Sequence, residues 1–227
     1  MPSPSLGTVL ERIGQTQTPL PAPIAVAIGL AAFGASMAPS LWMITRYVHV
    51  MAHEGAHALA GSGTGWKVRA VILTPGGNGS TDVGPPGGLG FVIIGIVGYL
   101  GPSAFGLGAA KLISLGHSVA VLWLGLLFLA LLLVTVRNKF GIGCVIVTGL
   151  LVYLVARYAT VGADTAVAYG IAWFLLISGV RAVLEHGRNA GDAGNLYQVT
   201  HVRPGFWSLV WLAGTVVALL AGGALLV

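Results

Sequence analysis

From Leu89 to Val227 the chain is a succession of apolar runs separated by short polar clusters. Each run approaches the roughly 20 residues that carry a helix across the hydrocarbon core of a bilayer. This feature leaves few folds open. Only 7% of the residues are charged and 56% are hydrophobic, whereas a soluble domain carries about 25% charged residues. So few charges cannot clothe a water-soluble core. A soluble enzyme, a disordered chain and a nucleic-acid binder are therefore excluded, and a polytopic membrane protein remains. The net charge of +5 reads as a determinant of orientation in the bilayer rather than as a nucleic-acid footprint.

Seven segments are candidate spans: Ile24 to Met37, Leu41 to Ala60, Leu89 to Ile113, His117 to Val136, Phe140 to Tyr158, Asp164 to Leu184 and Phe206 to Val227. Pro39 and Ser40 end the first, and the first two are alternatively a re-entrant hairpin. Residues 1–23 read as an irregular proline-containing arm, and residues 24–227 as one transmembrane domain. The abundant glycines suit helices whose backbones approach closely. If all seven segments span and the N-terminus is cytoplasmic, that side receives Arg12, Lys67, Arg69, Arg137, Lys139, Arg181, Arg188 and Arg203. The outer side receives Lys111 and Arg157, with Arg46 snorkelling to the same interface or pairing with a lipid phosphate. Between the second and third segments, Trp66 to Leu73 partly alternates polar and apolar residues. Pro75-Gly76-Gly77-Asn78-Gly79 then signals a turn, and Ser80 to Val83 follows, which predicts a small β-hairpin. The fold class is thus an all-α membrane protein of six to seven helices with one hairpin.

His53-Glu54-Gly55-Ala56-His57 carries the chemistry. Residues i and i+4 share a helix face, so two imidazoles in this HExxH pattern can hold one zinc ion. Glu54 stands beside them as a general base. Composition alone would produce the pattern about 0.002 times in a chain like this. Glu54 is also the one acid well inside a predicted span, where an ionisable group marks a functional site by default. His49 lies one turn earlier on the same face, as a supporting partner, an alternative ligand or an interfacial side chain.

A catalytic zinc takes a third protein ligand and keeps one position open. The HExxH box falls in the cytoplasmic half of its segment, which disfavours Asp164 on the outer side, and Glu11 belongs to the arm. Asp82, Glu185, Asp192, His186 and His201 all remain open as the third ligand.

These residues resemble the site-2 protease family of intramembrane zinc metalloproteases, in a compact bacterial branch without a PDZ domain. The motif helix Thr45 to Leu59 carries the resemblance first. Gly65-Trp66-Lys67-Val68-Arg69 with Gly77-Asn78-Gly79-Ser80-Thr81 is similar to the family's polar hairpin. Gly98-Tyr99-Leu100-Gly101-Pro102 is similar to its glycine-rich next helix, and Gly191-Asp192-Ala193-Gly194-Asn195 to its C-terminal motif. The resemblance implies Asp192 as third zinc ligand. Better-known members have glycine after this Asp; here Ala193 follows it, so Gly191 or Gly194 would have to let the chain approach the metal. The resemblance further implies a hairpin edge that pairs with an unfolded substrate strand, carried over to Lys67, Arg69 and Val71. Gly98, Gly101 and Pro102 would keep the third segment thin near the metal.

The implied function is a zinc-dependent endopeptidase that cuts a membrane-spanning protein within the lipid bilayer. It would sit in a bacterial plasma membrane with its active site toward the cytoplasm. His53, His57 and Asp192 would bind Zn²⁺, and Glu54 would be catalytic. The alternatives are a non-catalytic zinc-binding scaffold and a metal or proton transporter.

Overall fold

The computed structural model describes residues 13–84, 88–186 and 191–227, together with Gly7 and Glu11. Among the described residues there are eight helices and two strands. In chain order these are α1 (Ala22–Met37), α2 (Pro39–Gly63), β1 (Val68–Leu73), β2 (Gly79–Val83), α3 (Gly88–Ser114), α4 (Ser118–Thr135), α5 (Lys139–Tyr158), α6 (Val161–His186), α7 (Asp192–Thr200) and α8 (Pro204–Leu226). Five of them, α3, α4, α5, α6 and α8, are long and apolar enough to cross a membrane. The chain is an integral membrane protein, all-α apart from its hairpin.

The first two helices differ from two separate spans. They meet at Ala38 with a bend of 100°. The cause is local: Ala38 precedes Pro39, and the proline ring forces the preceding residue out of the helical region. Ala38 accordingly sits at φ −70°, ψ 123°, and Pro39 opens α2. Bent in this way, the two helices form either one broken crossing or a re-entrant hairpin.

The packing also places residues 16–20 relative to the hairpin. Gln17 accepts from the Val119 N–H and donates its own backbone N–H to Gly116 O, and the Leu20 N–H meets the Tyr169 hydroxyl. Residues 16–20 therefore lie at the α3–α4 turn. The hairpin lies at the other end of α4, where the Arg137 N–H donates to Val71 O. An 18-residue helix, about 27 Å long, separates the two, so residues 16–20 and the hairpin lie at opposite ends of α4. Lys67, Arg69, Arg137, Lys139, Arg181 and Arg203 gather at the hairpin end, and Lys111 and Arg157 at the other. Arg12 and Arg188 lie outside the described residues.

The core follows from small residues facing large ones. Leu176, Tyr169, Leu122, Ile113 and Ala172 are buried between α3, α4 and α6. A Cβ on Gly106 would press into Leu176, and one on Gly222 would strike the same side chain from α8. A second cluster of Leu196, Trp211, Trp207, Val183 and Ala193 clamps the short helix α7 between α3 and α8. The outward faces of α4 and α5 expose Leu127, Leu131, Val134, Val147 and Leu151. On a spanning helix these are the side chains that meet lipid tails.

The hairpin forms where alternation predicts it. β1 and β2 pair antiparallel, from Leu73 opposite Gly79 to Val68 opposite Val83, with a bulge between Val68 and Ala70. Gly77 takes φ +74° in the turn, a conformation that glycine adopts without strain.

Candidate metal centre

The motif helix α2 presents His53 and His57 on one face, with Asp192 brought to them from the first turn of α7. The two Nε2 atoms are 3.1 Å apart. Asp192 Oδ2 lies 3.1 Å from His53 Nε2 and 3.2 Å from His57 Nε2. Among the described residues these three form a group able to hold a metal ion. Atoms so spaced share a point about 2.1 Å from each, roughly 1 Å out of their plane, which is a zinc–ligand distance.

The donor chemistry agrees with a cation at that point. His57 Nδ1 is 2.8 Å from Ile94 O. A carbonyl only accepts, so Nδ1 carries a proton and Nε2 is the nitrogen left to meet a metal ion. Two imidazole nitrogens and a carboxylate oxygen are the donor types that zinc takes. Burial alone pushes the Asp192 carboxyl upward, but the two imidazoles outweigh it and hold it well below the usual carboxylate range.

The close approach of three elements depends on glycine at defined places. A Cβ on Gly98 would collide with the His57 imidazole and lie 2.9 Å from Asp192 Oδ2. A Cβ on Gly101 would strike Ala56, and one on Gly95 would meet Leu196 at 2.8 Å. The glycines of α3 thus admit both α2 and α7, as the expectation of a thin third segment required. Gly191 adopts φ +111° immediately before Asp192, a conformation open to glycine and strained for other residues. Gly194 has nothing within 4 Å of a built Cβ. The glycine that delivers Asp192 is therefore the one before it, and Ala193 is free to bury its methyl in the α7 core.

Glu54 is 4% exposed. The Thr81 hydroxyl donates to its Oε2 at 2.6 Å. A Cβ on Gly79 would overlap the same carboxylate. Strand β2 is therefore the surface against which Glu54 is set. Tyr99 stacks edge-on against the His53 ring, with centroids 4.8 Å apart. Trp211 backs Tyr99 at 4.5 Å and donates its indole N–H to Ile96 O. All these groups except Trp211 and Ile96 border one cleft of about 570 Å³.

A family model described as Peptidase M50B-like matches residues 25–222, nearly the whole chain, and includes both HExxH and Asp192. The chain belongs to this family, that of the site-2 proteases. No curated protein and no solved structure matches it.

The remaining candidates of this M50B-like chain fall elsewhere. Asp82 points away on β2 and pairs with Arg69 at 3.4 Å, both more than half exposed. Glu185 pairs with Arg181. His201 is exposed and closes α7 in the left-handed conformation. Asp164 is buried at the far end of α6 and accepts from the Thr165 N–H. The side chain of His186 lies outside the described residues. His49 is outside the triad; its Nδ1 lies 3.1 Å from the Ser178 hydroxyl in the wall of the cleft.

The β1 residues expected to meet substrate lie away from the cleft. Val71 is fully buried, and its carbonyl accepts from Arg137. Asn138 brackets Leu73, accepting its N–H at 3.2 Å and donating to its carbonyl at 2.6 Å. The outer edge of β1 is thus occupied by residues 136–138, and Lys67, Arg69 and Val71 do not border the cleft. Residues 79–81 and Val83 of β2 do. Among the described residues, no backbone hydrogen bond runs from β2 to a third segment. Sequence reasoning missed Thr81, Gly79 and Tyr99 as site residues, because their roles exist only once β2 and α3 pack on α2.

Proposed function

We propose that this M50B-like protein is a zinc-dependent intramembrane endopeptidase. One observation carries the reading: two imidazoles and a carboxylate converge to 3.1–3.2 Å while a buried carboxylate on the same helix borders the same cleft. His53, His57 and Asp192 would hold the ion. Bound zinc supplies Lewis-acid polarisation of a carbonyl and a lowered pKa for water.

The protein's own residues account for the rest. Glu54 takes a proton from the attacking water and returns it to the leaving amide nitrogen as the C–N bond breaks. Thr81 holds one carboxylate oxygen, so the other accepts the proton. Ile94 fixes the tautomer of His57, and Tyr99 limits the swing of His53. The substrate is a membrane-spanning protein that unwinds locally, because a helical peptide bond is shielded by its own hydrogen bonds. The unwound stretch lies along the free edge of β2, where main-chain pairing needs no particular sequence. The excess of Lys and Arg at the hairpin end favours a cytoplasmic location for that end, with residues 16–20 on the opposite side.

The test uses purified protein in nanodiscs and a panel of membrane-spanning peptides. The parent binds one zinc and cleaves at least one peptide. Glu54→Gln keeps the zinc and loses cleavage. A parent that binds zinc yet cleaves none of the peptides supports a scaffold instead, and zinc or proton flux lost in His53→Ala supports a transporter.

A further inference from the structure

The cleft has a second charged end. Arg46 lines it and is the lone Lys or Arg among the described residues that do. Its side chain makes no hydrogen bond or ion pair among the described residues, and its Nε is buried without a partner. A Cβ on Gly77 would overlap the guanidinium, so Arg46 rests against the bare backbone of the hairpin turn. The Tyr47 hydroxyl donates to Pro75 O and ties that turn down over it. The sequence suggests a side chain that snorkels to the interface or pairs with a lipid phosphate. In the structure Arg46 is half-buried and lines the cleft that holds the metal centre.

The guanidinium carbon lies 5.7 Å from the Tyr47 ring centroid, no carboxylate among the described residues pairs with it, and its planar fork matches one. The spacing fits one peptide chain. Arg46 is seven residues before His53 on the same helix face, about 10.5 Å along the axis. An extended chain covers that span in about three residues. Gly76, Gly77 and Asn78 continue the cleft wall from β2 toward Arg46, so a strand laid on the β2 edge runs past the guanidinium.

We propose that Arg46 is a specificity-determining residue that takes a carboxylate of the substrate, about three residues from the bond that is cut. The proposal rests on the peptidase reading. The carboxylate belongs either to an acidic side chain or to the end of a substrate chain. Paired antiparallel with β2, the substrate has its C-terminal side toward Arg46.

The test measures binding, so it stays readable whether or not the parent cleaves. Zinc-loaded Glu54→Gln protein in nanodiscs is titrated with synthetic Leu/Ala membrane-spanning peptides containing a central Asn-Gly break. Each peptide carries Glu or Gln at one position. At one position Glu binds about 10- to 100-fold more tightly than Gln, the range for a charge-assisted hydrogen bond. Adding Arg46→Gln erases this difference, and Arg46→Lys restores part of it. Peptides ending at that position, as free acid or amide, separate a chain end from an acidic side chain. Equal affinities in every pair overturn the proposal, as does a Glu preference that survives Arg46→Gln. Retention of an anionic lipid that Arg46→Gln abolishes, with equal peptide affinities, assigns the guanidinium to a lipid phosphate and also overturns it.

Discussion

The two strands of the hairpin are adjacent in sequence and opposite in consequence. β1 is fixed on its outer edge by residues 136–138 and buries Val71 and Leu73 in a core with Met51 and Leu132. β2 turns its edge to the cleft, makes room for Glu54 at Gly79 and orients it through Thr81. One strand anchors the hairpin to the bundle and the other shapes the site. The alternating pattern that reveals a hairpin is the same for both. What separates them is which neighbour each edge meets, and that is settled by packing.

The division can be broken by substitution, beginning with the largest effect. Gly79→Val places a branched side chain in the space of the Glu54 carboxylate. Cleavage should fall by about 10³-fold or more while zinc content and melting temperature stay close to the parent, since a misplaced general base forfeits most of a typical 10²–10⁴-fold contribution. Thr81→Val removes the hydroxyl that holds Oε2 and keeps the shape. A loss of about 10- to 100-fold in kcat is expected, with KM little changed. On the other strand, Val71→Ala should cost about 1–2 kcal/mol of stability. Asn138→Ala should cost about 1–3 kcal/mol by leaving Leu73 without its partners. Both should leave kcat per folded molecule unaltered, as measured by unfolding and by active-site titration in the same preparation. If a β1-side substitution lowers kcat while the fold is intact, or Gly79→Val unfolds the protein, the division of labour is wrong.

Much of the architecture was legible because a bilayer imposes simple rules. The helices α3, α4, α5, α6 and α8 follow from length and hydropathy, and the hairpin follows from alternation and a Gly-rich turn. The HExxH pair is legible because helix periodicity puts i and i+4 together. Asp192 came from a resemblance, since no periodicity links it to residues 135 positions away. The bend between α1 and α2 is half visible: Pro39 marks the stop, but proline does not state the 100° angle. Helix α7 also escaped notice. Its nine residues are too few for a periodic signal, and it is held by Trp211 and Val183 from other helices. Gly98 and Thr81 are ordinary in sequence and acquire meaning from His57 and Glu54 across the fold.

The central claim is that His53, His57 and Asp192 together make one zinc site. The most direct measurement is X-ray absorption at the zinc edge on the purified protein, with metal stoichiometry, for the parent and Asp192→Ala. One zinc per chain is predicted, with two imidazole nitrogens and oxygen ligands at about 2.0–2.2 Å. Asp192→Ala should lose the metal or bind it at least 10-fold more weakly, while the helical content stays the same. A parent that binds no zinc, or an Asp192→Ala protein with unchanged affinity and an unchanged absorption spectrum, would contradict the account.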